Sequence, residues 1–257
     1  MKDNPSTPAQ DEWKKGGSMF TNRTDAAKQL LQKLGEFKNN PDVIVLAIPR
    51  GALPMSALIA HALNAPLDII LTKKISAPFN PEFAIGAATP ESYFIDPAYK
   101  RAELEDYIEQ EVANVQQLLK ERAQTYRGKK KALTVKDKIV LLVDDGVATG
   151  RTMLAAIQAL KQQVPPEQDY PEQAPPEQVT PEQAPPEQNN PELGPKKIIV
   201  AVPVISPDAK ALLEQYANRV ISVITPQGLG AIGQFYREFP QVSDEEAKRI
   251  LQEYSLT

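Results

Sequence analysis

Short apolar runs alternate with stretches of helical periodicity along most of this chain. Val43 to Ile48 is an unbroken β-branched and aliphatic run, the pattern of a strand buried on both faces. Leu53 to Leu63 reads as a helix and Leu67 to Thr72 as the next strand. Ile75 to Ile95 breaks into strand-like pieces separated by Gly and Pro turns. Asp96-Pro97 predicts the start of a long helix running to about Tyr126. Its apolar positions Leu104, Ile108, Val112, Val115, Leu119 and Tyr126 follow helical spacing. Ile139 to Asp144 is a second buried-type strand, followed by a helix from Met153 to Lys161. Strand Ile198 to Val204, helix Pro207 to Ala217 and strand Val220 to Ile224 continue the alternation, and an amphipathic helix starts near Ser243. The β-α-β order with short links predicts an α/β fold, with a central, mostly parallel sheet flanked by helices.

Two stretches stand outside this pattern. Met1 to Ser18 is polar and reads as a disordered tail, with Trp13 its isolated apolar residue. A helical pattern (Ala26, Leu30, Leu31, Leu34) follows, so the domain is expected to span 19–257, with Met19 as the functional start. Pro-Glu-Gln recurs from Pro166, Pro171, Pro176, Pro181 and Pro186, ending at Pro191-Glu192-Leu193. A period of five is too short for a solenoid unit. Proline at this density blocks helix and strand ladders, and the apolar content cannot offset ordering entropy. Residues 164–194 therefore read as an extended, partly polyproline II insertion that interrupts the domain. Neutral repeat expansion and a spacer or partner-binding tract are both open readings.

Composition narrows the function classes. The chain has 257 residues, 42% of them hydrophobic, enough for a full core. A net charge of −4 and a pI near 5.3 argue against bulk nucleic-acid binding. Absence of cysteine excludes disulfides, thiolate metal sites and cysteine nucleophiles. Without a signal-like or membrane-spanning apolar stretch, a cytoplasmic protein with no membrane partner is expected.

The chemistry concentrates after the second buried strand. Asp144 and Asp145 fall at its carboxyl end, where open α/β sheets bind ligands. The backbone N–H groups from Gly146 to Thr152 can converge on an anion at the start of the next helix, where the dipole favours negative charge. Thr149 and Thr152 add hydroxyls, and Gly146 and Gly150 allow close approach of backbone to ligand. Two adjacent carboxylates repel unless sugar hydroxyls, a metal ion, or both share them.

The run Val143-Asp144-Asp145-Gly146-Val147-Ala148-Thr149-Gly150-Arg151-Thr152 resembles the phosphoribosyl pyrophosphate (PRPP) motif of the type I phosphoribosyltransferases. The resemblance covers about residues 19–163 and 195–257, and parts of it look like a little-characterised branch of predicted phosphoribosyltransferases. It implies that Asp144 and Asp145 take the ribose 2- and 3-hydroxyls, and that Val147 to Thr152 wrap the 5-phosphate. It also implies a small hood, built largely from terminal segments, over the acceptor.

Other elements fit by order and position. Ile48-Pro49-Arg50-Gly51 ends the first strand, where a turn and a guanidinium suit a pyrophosphate. The resemblance places the pyrophosphate loop here, with a non-proline cis bond expected at Pro49–Arg50 or Arg50–Gly51. Lys73 or Lys74, at the same sheet edge, is a candidate phosphate ligand, with solvated surface lysines the alternative. A mobile loop is expected from about Ser76 to Ala87. Phe235 or Tyr236, after the glycine-rich stretch 228–233, is a candidate platform for a flat base; a core role is the competing reading. His61, the one histidine, reads as a surface or packed residue, and Lys129-Lys130-Lys131 as a solvated linker.

Two departures bear on the acceptor. Relatives that use 6-oxopurines carry an acidic residue just before the Thr-Gly of the loop, where this chain has Ala148. They also carry a lysine after a Val-Pro pair, where Val204 follows Val202-Pro203 here. Both argue against hypoxanthine or guanine. The expectation is a transferase of nucleotide-salvage type that moves ribose 5-phosphate from PRPP to a nucleobase-like acceptor. Mg²⁺ would be held mainly through PRPP oxygens. Asp144, Asp145, Arg50 and Lys73 or Lys74 would be the catalytic set, Gly51 and residues 146–152 binding substrate alongside them. The alternatives are a non-catalytic PRPP or nucleotide sensor and a hydrolase of phosphorylated ribosides. The apolar stripe of the 97–126 helix suggests a possible homodimer.

Overall fold

The computed structural model describes residues 19–128, 130–161 and 194–254. The N-terminal tail, Lys129 and nearly all of the repeat lie outside the described residues.

Five parallel strands form the central sheet: β1 (Val43–Ala47), β2 (Leu67–Ile69), β6 (Ile139–Val143), β7 (Lys197–Val204) and β8 (Arg219–Ile224), in the order β2-β1-β6-β7-β8. The expectation of a sheet buried on both faces holds residue by residue. Val43, Val45 and Ala47 join one apolar cluster while Ile44, Leu46 and Ile48 join the other, as strand alternation requires. One face is covered by α1 (Arg23–Leu31), α2 (Leu53–Leu63), α3 (Glu105–Arg127) and α6 (Asp244–Tyr254). The opposite face is covered by α4 (Arg151–Lys161) and α5 (Pro207–Leu213).

The segment read as strand-like pieces forms a separate antiparallel sheet: β3 (Lys73–Ala77), β4 (Asn80–Ala88) and β5 (Tyr93–Ile95). Three boundaries differ from the sequence reading, one of them at α5, which ends at Leu213 rather than Ala217. β2 ends at Ile69, and after one further bond from Ile70 N–H to the Ala47 carbonyl the chain leaves the sheet. Lys73 and Lys74 therefore open β3 rather than close β2. The long helix begins at Glu105, not at Pro97. Residues 97–99 and 102–104 are single 3₁₀ turns broken by the extended backbone of Arg101 (φ −126°, ψ 144°).

The apolar stripe of α3 is used within the chain. Ile108, Val112, Val115, Leu119 and Tyr126 are buried, with α3 packed on β3 and α6. That stripe consequently offers no face for a second subunit.

A third cluster joins the two ends of the described fold. Phe20, Ala26, Val204, Ile224, Phe235 and Tyr236 pack together. Phe20 N–H donates to the Phe235 carbonyl (2.9 Å), and the Phe20 and Thr21 carbonyls accept from Arg237 and Glu238 N–H (2.8 and 2.9 Å). This small cap lies over the carboxyl end of β7 and β8.

Candidate active site

β6 ends at Val143 and delivers Asp144 and Asp145, both partly buried, to the carboxyl edge of the sheet. Asp145 N–H donates to Asp144 Oδ1 at 2.8 Å. The following loop is held by β7 and the turn after it. Val147 N–H donates to the Val204 carbonyl (2.9 Å), and Ser206 N–H to the Val147 carbonyl (3.0 Å). Ser206 Oγ donates to the Ala148 carbonyl (2.6 Å) and accepts from Ala209 N–H (3.0 Å). One hydroxyl thus caps α5 and fixes the 146–150 loop. Sequence reasoning missed this residue, although Ser before Pro at a helix start is a recognisable N-cap signal.

Gly150 turns the chain into α4 with φ +76°, a conformation costly for side-chain-bearing residues. Thr149, Arg151 and Thr152 are exposed around the α4 N-terminus. First-turn N–H groups lack intrahelical acceptors, so donors gather here beside these side chains, an arrangement suited to an anion. Val147 is buried and contributes backbone only.

The loop after β1 reaches the acidic pair. The Pro49–Arg50 peptide bond is cis. Gly51 lies against Asp145, and a Cβ there would collide with Asp145 Oδ2. Arg50 is half-exposed and pairs with Asp244 at 3.4 Å; Asp244 Oδ1 also accepts from the Tyr126 hydroxyl at 2.5 Å. That hydrogen bond, with Arg50 nearby, lowers the Asp244 pKa; burial and Asp244 raise the Tyr126 phenol to about 12.

The sequence reading also missed Arg23. Its Nε and Nη2 both donate to Asp145 Oδ2 (2.9 and 2.8 Å), and Nη1 donates to the Pro240 carbonyl (2.6 Å). The guanidinium carbon lies 3.8 Å from the Phe239 ring centroid. A signal was present: Arg23 opens α1, where the helix dipole disfavours a cation.

Burial raises both carboxyl pKa values. Asp144 is pushed well up by burial and then by the Asp145 charge; for Asp145, the Arg23 guanidinium opposes the rise.

Phe235 and Tyr236 occupy different surroundings from those expected of a base platform. Phe235 is 1% exposed and Tyr236 4%. Tyr236 is packed between Phe20 (5.3 Å between centroids) and Phe239 (4.7 Å), and its hydroxyl donates to the Asp145 backbone carbonyl at 2.6 Å. The core reading of this pair prevails because the terminal segments need an apolar centre of their own. Over the acidic loop the structure places Ile232, whose side chain abuts Gly146.

Lys73 and Lys74 are exposed neighbours on β3, so strand alternation lets only one face the cleft. The expected mobile loop falls on the β3–β4 hairpin, whose turn residue Phe79 is fully exposed. His61 is exposed on α2, in a groove of about 780 Å³ also lined by Arg127, Lys130 and Lys131, formed by other elements than the acidic loop. Among the described residues no group of three or more His, Asp or Glu side chains is arranged to hold a metal.

An acidic pair beside a helix N-terminus stands at the carboxyl edge of a parallel sheet, the position at which open α/β folds bind ligands. The model of the phosphoribosyl transferase domain matches residues 9–167, more than half of the chain, and the chain belongs to that family, which is of glycosyltransferase type. A Mycobacterium tuberculosis (strain H37Rv) protein named "Putative phosphoribosyl transferase Rv0571c" is 30% identical over 236 residues, 91% of this chain. Its counterpart in strain CDC 1551, MT0597, matches equally. The chain spans 46% of the length of these curated relatives. The crystal structure of TT1426 from Thermus thermophilus is similar at 33% identity and a TM-score of 0.73, covering 91% of this chain and 98% of that one.

Proposed function

We propose that this chain transfers ribose 5-phosphate from PRPP to a nucleobase-like acceptor and releases pyrophosphate. The observation that carries the reading is the convergence of three parts. These are the Asp144–Asp145 pair, the cradle at the α4 N-terminus, and the Arg50–Gly51 loop, which touches Asp145.

In this reading, Asp144 and Asp145 accept hydrogen bonds from the ribose 2- and 3-hydroxyls. The backbone from Gly146 to Gly150 and the hydroxyls of Thr149 and Thr152 hold the 5-phosphate, with Arg151 adding positive charge. An acceptor atom bonds to C1 as the bond from C1 to the pyrophosphate oxygen breaks and its electron pair leaves with pyrophosphate. Positive charge gathers on the ribose ring, near two carboxylates. Negative charge gathers on the leaving group, where Arg50 and one of Lys73 and Lys74 stabilise it by preorganised electrostatics. Mg²⁺, when bound with PRPP, supplies neutralisation of the pyrophosphate charge. Arg50 must exchange Asp244 for pyrophosphate, a small step because both side chains are about half-exposed.

Ile232 over Gly146 suits the apolar edge of an acceptor. Ala148 and Val204 supply no acid or lysine for a 6-oxopurine, which favours other acceptors. A salvage role and a cytoplasmic location belong to the same proposal; no helix among the described residues is long and apolar enough to cross a membrane.

The test is PRPP with Mg²⁺ against a panel of bases, followed by pyrophosphate release. Base-dependent release supports the transferase. Base-independent release supports a riboside hydrolase instead, and tight PRPP binding without turnover supports a sensor.

A further inference from the structure

Arg23 reaches the acidic pair from an element that the PRPP motif does not contain. We infer that Arg23 is a positioning residue for the ribose-binding carboxylates: it occupies Asp145 Oδ2 and leaves Oδ1, together with Asp144, for the ligand. This rests on the proposed PRPP reading of the site.

The geometry supports a fixed clamp. Two donors of Arg23 converge on one oxygen, Oδ2, at 2.8 and 2.9 Å. Gly51 backs the same oxygen: a Cβ there would collide with Oδ2 and lie 3.4 Å from Arg23 Nη2. The guanidinium is held by the Pro240 carbonyl and the Phe239 ring, and Arg23 is 9% exposed. Phe239 stacks on Tyr236, whose hydroxyl binds the Asp145 backbone carbonyl. Side chain and backbone of Asp145 are therefore fixed by the same terminal cap. A planar fork suits this task because little rotamer freedom is lost per bond formed.

The charge balance points the same way. Two adjacent buried carboxylates resist joint ionisation, yet both must accept hydrogen bonds to hold two hydroxyls. The groups facing the pair are Arg23 from α1 and Tyr236 from the cap; Gly51 brings no charge. Burial and the acidic pair raise the Tyr236 phenol pKa further, so it stays neutral. Arg23 is then the fixed cation that favours ionised Asp145.

The experiment measures Mg²⁺–PRPP affinity by calorimetry from about pH 6 to about pH 8.5 on the full chain. The proteins are the unaltered chain, Arg23→Gln, Arg23→Lys, Asp145→Asn, and the Arg23→Gln/Asp145→Asn double variant. Arg23→Gln is expected to weaken binding roughly tenfold or more, the scale of a lost charge-assisted bond, with partial recovery at the alkaline end. Arg23→Lys should be intermediate. The double variant should bind no worse than Asp145→Asn, since the two residues act as one unit. Unchanged affinity and pH profile in Arg23→Gln, while Asp145→Asn loses binding, would overturn the inference and spare the site. No binding by the unaltered chain, or full binding by Asp145→Asn, would overturn the site reading and the inference with it. If Arg23→Gln does not fold, nitrogen-15 spectra of the unaltered chain decide: the Arg23 Nε–H resonance should stay protected from exchange when PRPP is added, and its exposure overturns the clamp.

Discussion

Gly51 and Asp145 are in contact across two loops of the sheet edge, and a single added methyl group at 51 would occupy the place of Oδ2. The obstacle is a carboxyl anchored by Arg23, so it cannot swing aside freely. Gly51→Ala should therefore leave the fold intact at an overpacking cost of about 1–3 kcal/mol. It should weaken Mg²⁺–PRPP binding by roughly tenfold or more, the scale of one displaced carboxylate contact. Calorimetry beside a thermal melt separates the two effects, and native affinity would show that Asp145 does not serve the ligand.

Asp144 sets a stability cost against a binding gain. Its carboxyl pKa is raised in the native state, so between the unfolded and folded values the native chain holds the proton more tightly. Stability then rises as pH falls through the folded value and is lower above it. Ligand affinity should move the opposite way, because hydroxyl binding needs ionised carboxylates. Asp144→Asn is expected to stabilise the free chain at neutral pH by on the order of 1 kcal/mol while sharply reducing PRPP binding. Denaturant titrations at pH 5.5 and 7.5 check the sign: a variant less stable than the parent at pH 7.5 contradicts it.

Phe235 belongs to the packing, so its truncation should be felt in stability first. At 1% exposure, within the cluster of Phe20, Val204 and Ile224, Phe235→Ala should cost about 3–5 kcal/mol. Phe235→Leu should cost clearly less. At temperatures where both stay folded, PRPP affinity should be close to that of the parent. A variant with native melting but lost acceptor use would restore the base-platform reading.

The parts of the fold that were legible in the sequence are those governed by local rules. β1 and β6 announce themselves as unbroken aliphatic runs because both faces are buried, and the cradle follows β6 directly in the chain. Arg50 and Gly51 could be placed at the same sheet edge because parallel strands present their carboxyl ends together. What was not legible depends on contacts between distant segments. Arg23 meets Asp145 across 122 positions and Pro240 across 217. Phe235 and Tyr236 become core only because residues 20–21 pair with 235–238. The start of α3 differs for another reason: Asp96-Pro97 does cap a helical turn, but extended Arg101 prevents that turn from propagating.

The two sides of the repeat meet at a point that makes its removal a clean test of its role. Gly194 lies beside the last residues of α4: a Cβ there would be 3.7 and 3.8 Å from the Leu160 and Lys161 carbonyl oxygens. Its own carbonyl accepts from Asp137 N–H at 3.2 Å, and Leu160 is buried, so both anchor points are fixed by the fold. The 32 residues from 162 to 193 are therefore not needed to span a distance. For a tract as extended as its sequence predicts, shortening to about four residues removes three doublings of loop length, about 0.6 kcal/mol each. Replacement by a four-residue Gly-Ser link should raise stability by about 2 kcal/mol and leave Mg²⁺–PRPP affinity unchanged. Thermal melting and calorimetry on the excised chain test both halves. A drop in stability would mean that the repeat packs on the domain, and a loss of PRPP affinity with stability intact would mean that it reaches the site.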